Sequence, residues 1–214
     1  MNPQQPQYDP LRIFLSAEQF KSAASCLSDL LRRNRWDELF VPMQVNAALA
    51  LELYLKTLLA LNKRCTNSHH HGLMFQQLDK EYRDALSGQF DELAKDDPEL
   101  LFMAGLDPRY KSDLGSILED SGHVFERLRY LWEKPLPDKM RACFTLPIKF
   151  FRAEIMRLQP SFDSASSGLM NSSQMPASLK PNTALQVRVS PFGMKSNTIP
   201  PPSSDKQAGS GEPT

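Results

Sequence analysis

The chain has 214 residues, of which 25 are Lys or Arg and 25 are Asp or Glu, so its formal net charge is zero. A neutral chain argues against a protein that holds duplex DNA by its phosphates, because such proteins carry a marked excess of positive charge. The three cysteines lie far apart with no Cys-x-x-Cys spacing, which argues against a disulfide framework. We expect two of the three to pack as small apolar groups.

The sequence has no stretch of 18 consecutive apolar residues, and no apolar run follows the polar residues 1–10 as it would in a signal peptide. We therefore expect a cytoplasmic protein that does not span a membrane. A phosphate-binding loop, a Gly-x-Gly-x-x-Gly segment and a Gly-x-Ser-x-Gly segment are also missing, so nothing indicates an ATPase, a dinucleotide enzyme or a serine hydrolase. No cofactor is expected.

Apolar residues at three- and four-residue intervals predict a first helix over residues 10–33, with Asp9 as its N-cap and Pro10 at its first position. A second helix is predicted over residues 42–63, which are rich in Ala and Leu and contain no Gly. Its apolar residues cover nearly all sides of the helix. We therefore expect it to be the central element of a bundle.

A third helix is predicted to begin near His71, with Asn67 or Ser68 as its cap, and to continue to about residue 93 with a break at Ser87 and Gly88. Residues 100–113 contain Gly105 and Pro108 and predict an irregular connection with a short helical turn. Two more helices are predicted after it, over residues 113–134 and 146–158.

The sequence from residue 159 onward is crowded with Pro, Ser, Asn and Gly, and it predicts a disordered tail because it has little apolar surface to bury. The predicted fold is all-α, an antiparallel up-and-down bundle of four to five helices. Residues 1–8 form a flexible N-terminus, residues 9–158 the bundle and residues 159–214 the tail. One hypothesis for the chain is a structural adaptor that uses this tail as an arm for binding a partner.

Three segments resemble the HEPN family of helical domains. Residues 46–59, Asn-Ala-Ala-Leu-Ala-Leu-Glu-Leu-Tyr-Leu-Lys-Thr-Leu-Leu, are similar to the second helix of these domains. His71-Gly72-Leu73, followed by Leu78, resembles the family's His-Asp-Leu helix opening. A third segment resembles its Phe-x-x-x-Arg-Tyr-x-x-Glu helix and comprises Phe125, Arg129, Tyr130 and Glu133.

The resemblance implies a small antiparallel bundle that forms a homodimer and is associated with RNA or nucleotides. HEPN domains occur in defence and toxin–antitoxin systems, so a nucleotidyltransferase or an antitoxin is an implied protein partner. Some members are metal-independent ribonucleases with an Arg-x(4–6)-His motif, in which the His acts on the ribose and the Arg stabilises the phosphorane. Our leading hypothesis is a non-catalytic HEPN-like module that binds RNA, nucleotide or a partner protein, and the alternative is a metal-independent HEPN-type endoribonuclease.

Arg64 precedes His71 by a spacing that meets the nuclease pattern. The match is a weak one, because about one such pair is expected by chance in a chain with this many arginines. The pair also lies between the second and third predicted helices, whereas the family motif belongs to a later helix. A structural role is therefore the favoured interpretation.

On the predicted helix 113–134, His123 and Arg127 are four residues apart, and Tyr130 follows on the same side. The order His-x(3)-Arg is the reverse of the nuclease motif. These side chains form a candidate site for RNA or nucleotide, with exposure to solvent as the alternative.

Glu52 lies in the most apolar predicted helix, where a carboxylate needs a partner. Lys56, one turn later, is the local candidate, and Arg129 is the candidate from another helix. We expect such a pair to fix packing. His69, His70 and His71 are consecutive and cannot all converge on one tetrahedral ion, so no metal site is expected.

Overall fold

A computed structural model of the chain describes residues 8–34, 37–129 and 142–172, without the side chains of residues 34, 37, 123–126, 129 and 168–172. These residues form an all-α fold without a β-strand. A 3-10 helix, Asp37–Leu39, precedes the second α-helix. The α-helices are α1 Pro10–Asn34, α2 Phe40–Leu61, α3 His71–Gln76, α4 Lys80–Ala94, α5 Pro98–Leu106, α6 Leu114–Arg129, α7 Thr145–Leu158 and α8 Ser161–Ser172.

The central element is α2, as the sequence predicts. It pairs with α1 along much of its length and also packs against α3, α6 and α7. Ten of its residues are buried, including Leu51, Tyr54 and Leu58, because apolar side chains cover most of its sides. By length and composition α2 is also long and apolar enough to cross a membrane, but half of its most apolar window is buried within the bundle.

The predicted bounds of the first, second and last helices are confirmed to within two residues by α1, α2 and α7. The predicted cap is also confirmed, because the Asp9 carboxylate accepts a hydrogen bond from the backbone N–H of Leu11 at 3.0 Å. The fourth predicted helix is confirmed as α6 up to Arg129, and its predicted remainder lies outside the described residues.

The third predicted helix is divided into α3 and α4, and the break lies at residues 77–79 rather than at Ser87 and Gly88. Arg64 sets this break, because its guanidinium binds both the carbonyl of Gln77 and the carboxylate of Asp79. Gly88 is accommodated inside α4, on an exposed side of the helix.

The predicted irregular connection after residue 100 is instead a helix, α5. Asp97 caps it by accepting hydrogen bonds from the N–H groups of Glu99 and Leu100 at 3.0 Å, and Pro98 occupies the first turn. Gly105 lies in its last turn and Pro108 follows its end. These two residues limit the length of the helix but do not prevent it.

The bundle also extends beyond its predicted end at residue 158, into α8. Phe162 of α8 is 8% exposed and packs on Phe14 of α1, with the ring centroids 5.4 Å apart. Asp163 accepts a hydrogen bond from Arg152 of α7 at 3.1 Å. The rest of the predicted disordered tail lies outside the described residues, as does the predicted flexible N-terminus up to residue 7.

The cysteines differ from the expectation that two of them are buried. Only Cys143 is buried, whereas Cys26 and Cys65 are exposed. Burial raises the pKa of the Cys143 thiol to about 12, so this side chain remains a neutral apolar group.

The contact between α8 and α1 leads to a prediction for stability. Phe162→Ala removes a buried ring from the Phe14 contact and should lower the free energy of unfolding by about 3 kcal/mol, measured by urea denaturation. Phe40→Ala is the matched control, because this ring is 38% exposed and its loss should cost much less. Equal losses in the two variants would contradict the assignment of α8 to the core.

Candidate functional site

Three consecutive histidines hold the short helix α3 in place, and each of them contacts a different group. His71 contacts Ser121 of α6, His70 lies against α6 near Glu119, and His69 contacts Glu52 of α2. The three rings therefore point to separate partners. In the part of the chain that the structure describes, no three His, Cys, Asp or Glu side chains form a group that could hold a metal ion.

His71 is completely buried between α3 and α6. Its Nδ1 lies 2.8 Å from Oγ of Ser121, which also donates to the carbonyl of Leu118 at 3.1 Å. Phe144 meets the imidazole edge-on, with the ring centroids 6.5 Å apart. Burial lowers the pKa of His71 to about 3, and the neighbouring backbone of Ala48 offsets part of that effect. His71 is thus a neutral core residue that a dissolved substrate does not reach.

His70 fits into a close contact between α3 and α6, where Gly122 leaves room for its ring. A Cβ atom at Gly122 would lie 3.0 to 3.1 Å from three atoms of the His70 ring, and one at Gly72 would lie 2.5 Å from Oε2 of Glu119. The His70 ring also caps α3, because its Nδ1 accepts a hydrogen bond from the N–H of Leu73 at 3.3 Å. The role of His70 is therefore to position α3 against α6.

Glu52 is 3% exposed, and it has the local partner that the sequence predicts. Its Oε1 accepts hydrogen bonds from Lys56 at 2.7 Å and lies 2.9 Å from Nδ1 of His69. The predicted partner from another helix, Arg129, has its side chain outside the described part. Glu52 therefore joins α2 to the segment that leads into α3, in keeping with a packing role.

Arg64 and His71, the candidate nuclease pair, point to different parts of the bundle. The Arg64 guanidinium binds the turn between α3 and α4, whereas the His71 ring is in the core against α6. Of the second candidate set, Arg127 is exposed on α6. The side chains of His123 and Tyr130 lie outside the described residues, so the proposed binding face of these residues stays a prediction.

A buried cluster of charged groups around Glu18 was not predicted from the sequence. Glu18 of α1 is 5% exposed and accepts hydrogen bonds from Tyr54 of α2, from Lys21 at 2.7 Å and from Arg152 of α7 at 2.9 Å. Burial alone would raise the pKa of Glu18, but these donors outweigh it and hold the pKa below 4.5. The signal was present, because Glu18 occupies the apolar stripe of α1 one turn after Phe14.

A second buried carboxylate, Glu154 of α7, has a similar arrangement. It accepts hydrogen bonds from Tyr82 of α4 and from Arg157 at 2.7 Å. Burial acts to raise the pKa of Glu154, and these two partners lower it below 4.5 overall. Like Glu18, Glu154 joins helices and is not open to a substrate.

The most exposed apolar surface is on α5. Leu101, Phe102 and Leu106 are 57%, 64% and 64% exposed, the highest values for large apolar side chains in the described part. Leu100, on the opposite side of α5, is 1% exposed and anchors the helix. Between the exposed side chains lies Gly105, where an added Cβ would meet no atom within 4 Å. We call Leu101, Phe102, Gly105 and Leu106 the α5 face.

Charge is distributed unevenly along α5. Five carboxylates and one lysine lie between residues 91 and 99, before and at its start. Arg109 and Lys111 follow its end, and both are exposed, although Arg109 also contacts Asp107 at 3.2 Å. The start of α5 is therefore acidic, whereas the residues after its end are balanced, because Asp107 pairs with Arg109 and Asp113 lies two residues after Lys111.

Comparisons of the chain with protein-family models, with curated proteins and with solved structures found no match. The resemblance to HEPN domains thus stays a prediction from the three segments that carry it.

The burial of His71 leads to a prediction of pH dependence. Its pKa is lowered from 6.5 to about 3, so below pH 6.5 the unfolded chain takes up a proton that the folded chain does not. Between pH 6.5 and 4.5 this difference should remove roughly 2.5 kcal/mol of stability, since one proton corresponds to about 1.4 kcal/mol per pH unit.

The measurement is urea denaturation at a series of pH values for the wild type and for His71→Gln, which keeps a polar side chain but does not titrate. Glu18 and Glu154, whose pKa values are lowered, contribute only as the pH falls below about 4.5. The variant should therefore lose less stability than the wild type over this interval. Parallel curves would show that His71 is not buried in neutral form.

Proposed function

We propose that this chain is a non-catalytic helical module that works through protein association, and that its α5 face joins two copies of the chain. The observation that carries the proposal is the exposure of Leu101, Phe102 and Leu106, each more than half exposed on one helix. Contiguous apolar patches of this kind mark interaction sites, because leaving them in water is costly. An aromatic ring between two leucines is a suitable centre for such a contact.

A protein partner suits the α5 face better than RNA does. The approach to α5 is acidic, with five carboxylates against one lysine between residues 91 and 99, and it would repel phosphates. Many of the basic side chains that the structure describes are also paired with neighbouring carboxylates, among them Lys56, Arg64 and Arg157. These pairs reduce the positive charge that is open to a nucleic acid.

A second copy is compatible with the charge of α5, because an antiparallel contact keeps the two acidic starts of the helix apart. Three such side chains expose on the order of 400 Å² of apolar surface. With a polar rim, a contact between two copies would approach the ~1,000 Å² at which specific association begins. We therefore expect a reversible dimer with a dissociation constant in the micromolar range.

The HEPN resemblance supports the same proposal, because it implies a homodimer. It also suggests a cytoplasmic role in a defence or toxin–antitoxin setting, in which the dimer would be the form that meets an antitoxin or a nucleotidyltransferase. Catalysis is not part of the proposal, since His71 is buried and Arg64 is engaged at the turn between α3 and α4.

The dimer is tested by sedimentation equilibrium from about 1 to 200 µM, a range that spans micromolar affinity. Wild type should pass from monomer to dimer, and Phe102→Ser with Leu106→Ser should remain monomeric. Leu73→Ser on α3, where the side chain is 51% exposed, is the matched control and should leave association unchanged. A wild type that is monomeric at every concentration would overturn the proposal.

The absence of catalysis is tested by incubating the purified protein with total RNA in EDTA. The RNA should stay intact, because His71 is buried and Arg64 is engaged at the turn between α3 and α4. Cleavage that is lost in Arg127→Ala but kept in Arg33→Ala, where the side chain is also exposed, would instead support the ribonuclease alternative.

A further inference from the structure

The start of α5 is acidic, and the residues that follow its end have no net charge. Asp96 and Glu99 are exposed at the start of the helix, and Lys111 is exposed a few residues beyond its end. When two copies of such a helix meet in antiparallel orientation, the acidic start of each lies near the exposed Lys111 of the other. In parallel orientation, the two acidic starts would meet. Charge therefore favours the antiparallel contact.

The sizes of the side chains on the α5 face favour the same orientation. An antiparallel pair centred between residues 103 and 104 places Phe102 of one copy opposite Gly105 of the other. Phe102 is the largest exposed side chain on the face, and Gly105 has open space where a Cβ would be. In this arrangement Leu101 of one copy is also opposite Leu106 of the other. The Phe102 ring of one copy thus fits the space beside Gly105 of the other, as close packing of helices requires.

A two-fold axis between the copies produces the charge pairing and the side-chain pairing together. In a two-fold contact the same surface serves both copies, so residue i meets residue j while j meets i. The pairs 102 with 105 and 101 with 106 are related in this way about one centre. Asp96 and Lys111 lie on opposite sides of that centre, equally far along the sequence, so their opposite charges can pair twice.

We infer that two copies of the chain pair through antiparallel α5 helices about a two-fold axis near residues 103 and 104, with the Asp96 end of each against the Lys111 end of the other. This inference rests on the proposed function, since it specifies how the α5 face is occupied. It identifies the rim charges as the determinants of orientation, while Phe102 and its neighbours supply the affinity.

The inference is tested by reversing the charges with Asp96→Lys and Lys111→Asp. Either substitution alone places like charges together twice in the antiparallel dimer, and it should weaken self-association roughly tenfold in sedimentation equilibrium at low salt. The double variant should recover the wild-type association. Both positions are exposed, so thermal unfolding of each variant is expected to match the wild type and serves as the control for folding.

A mixture of the two single variants gives a further readout. One variant has positive side chains at both positions and the other has negative ones, so the mixed dimer should form about as strongly as the wild type and at the expense of each variant's own dimer. A dimer that depends on Phe102 but is unaffected by either single substitution would overturn the antiparallel arrangement and leave the proposed function intact. A wild type that does not dimerise would overturn both.

Discussion

The arrangement of the helices depends on the hydrogen bonds that the buried, ionised carboxylate of Glu18 in α1 accepts. Tyr54 of α2 and Arg152 of α7 both donate to it, and Arg152 in turn binds Asp163 of α8. One carboxylate thus links four helices. A buried charge is unfavourable without partners, and an arrangement that kept Glu18 buried but separated these helices would leave it with Lys21 of α1 alone. The apolar contacts of α2 supply most of the stability, and the Glu18 cluster selects which sides of the helices meet.

The three histidines at α3 serve the same purpose on another part of the bundle. A helix as short as α3 is not stable alone. It is held by the burial of Met74 and Phe75 and by polar contacts at its N-terminal end. His69, His70 and His71 supply them by contacting Glu52, Glu119 and Ser121. Residue types that are common in active sites are used here for packing. The α5 face is the opposite case, because apolar residues of the kind that usually form a core are exposed to solvent.

Sequence reasoning predicts the long helices well and the short ones poorly. The apolar residues of α1, α2 and α7 recur at helical intervals within each segment, so the sequence pattern alone locates these helices. The end of α3 is set by Arg64, which lies 13 residues before Gln77 along the chain, and no local pattern contains that contact. For α5 the signals were local, Asp97 as cap and Pro98 after it, but Gly105 and Pro108 concealed the helix. The docking of Phe162 on Phe14 is likewise a contact between distant residues.

The candidate site could be predicted only in part, for a related reason. The sequence shows that Glu52 needs a partner and that Lys56 can supply it, because both lie on one helix. It does not show which apolar residues of α5 are buried, since Leu100 and Leu101 are adjacent and chemically identical. Only the position of α5 against the bundle decides that one is 1% exposed and the other 57%.

Amide hydrogen exchange at two protein concentrations tests most directly whether the chain acts through α5. If two copies associate there, raising the concentration through the dissociation constant should slow exchange in peptides that cover residues 98–106. Exchange in peptides that cover α3 should not change. We expect the protection to be confined to α5. Exchange at α5 that is independent of concentration, or RNA-induced protection of α3 and α6 in its place, would contradict it.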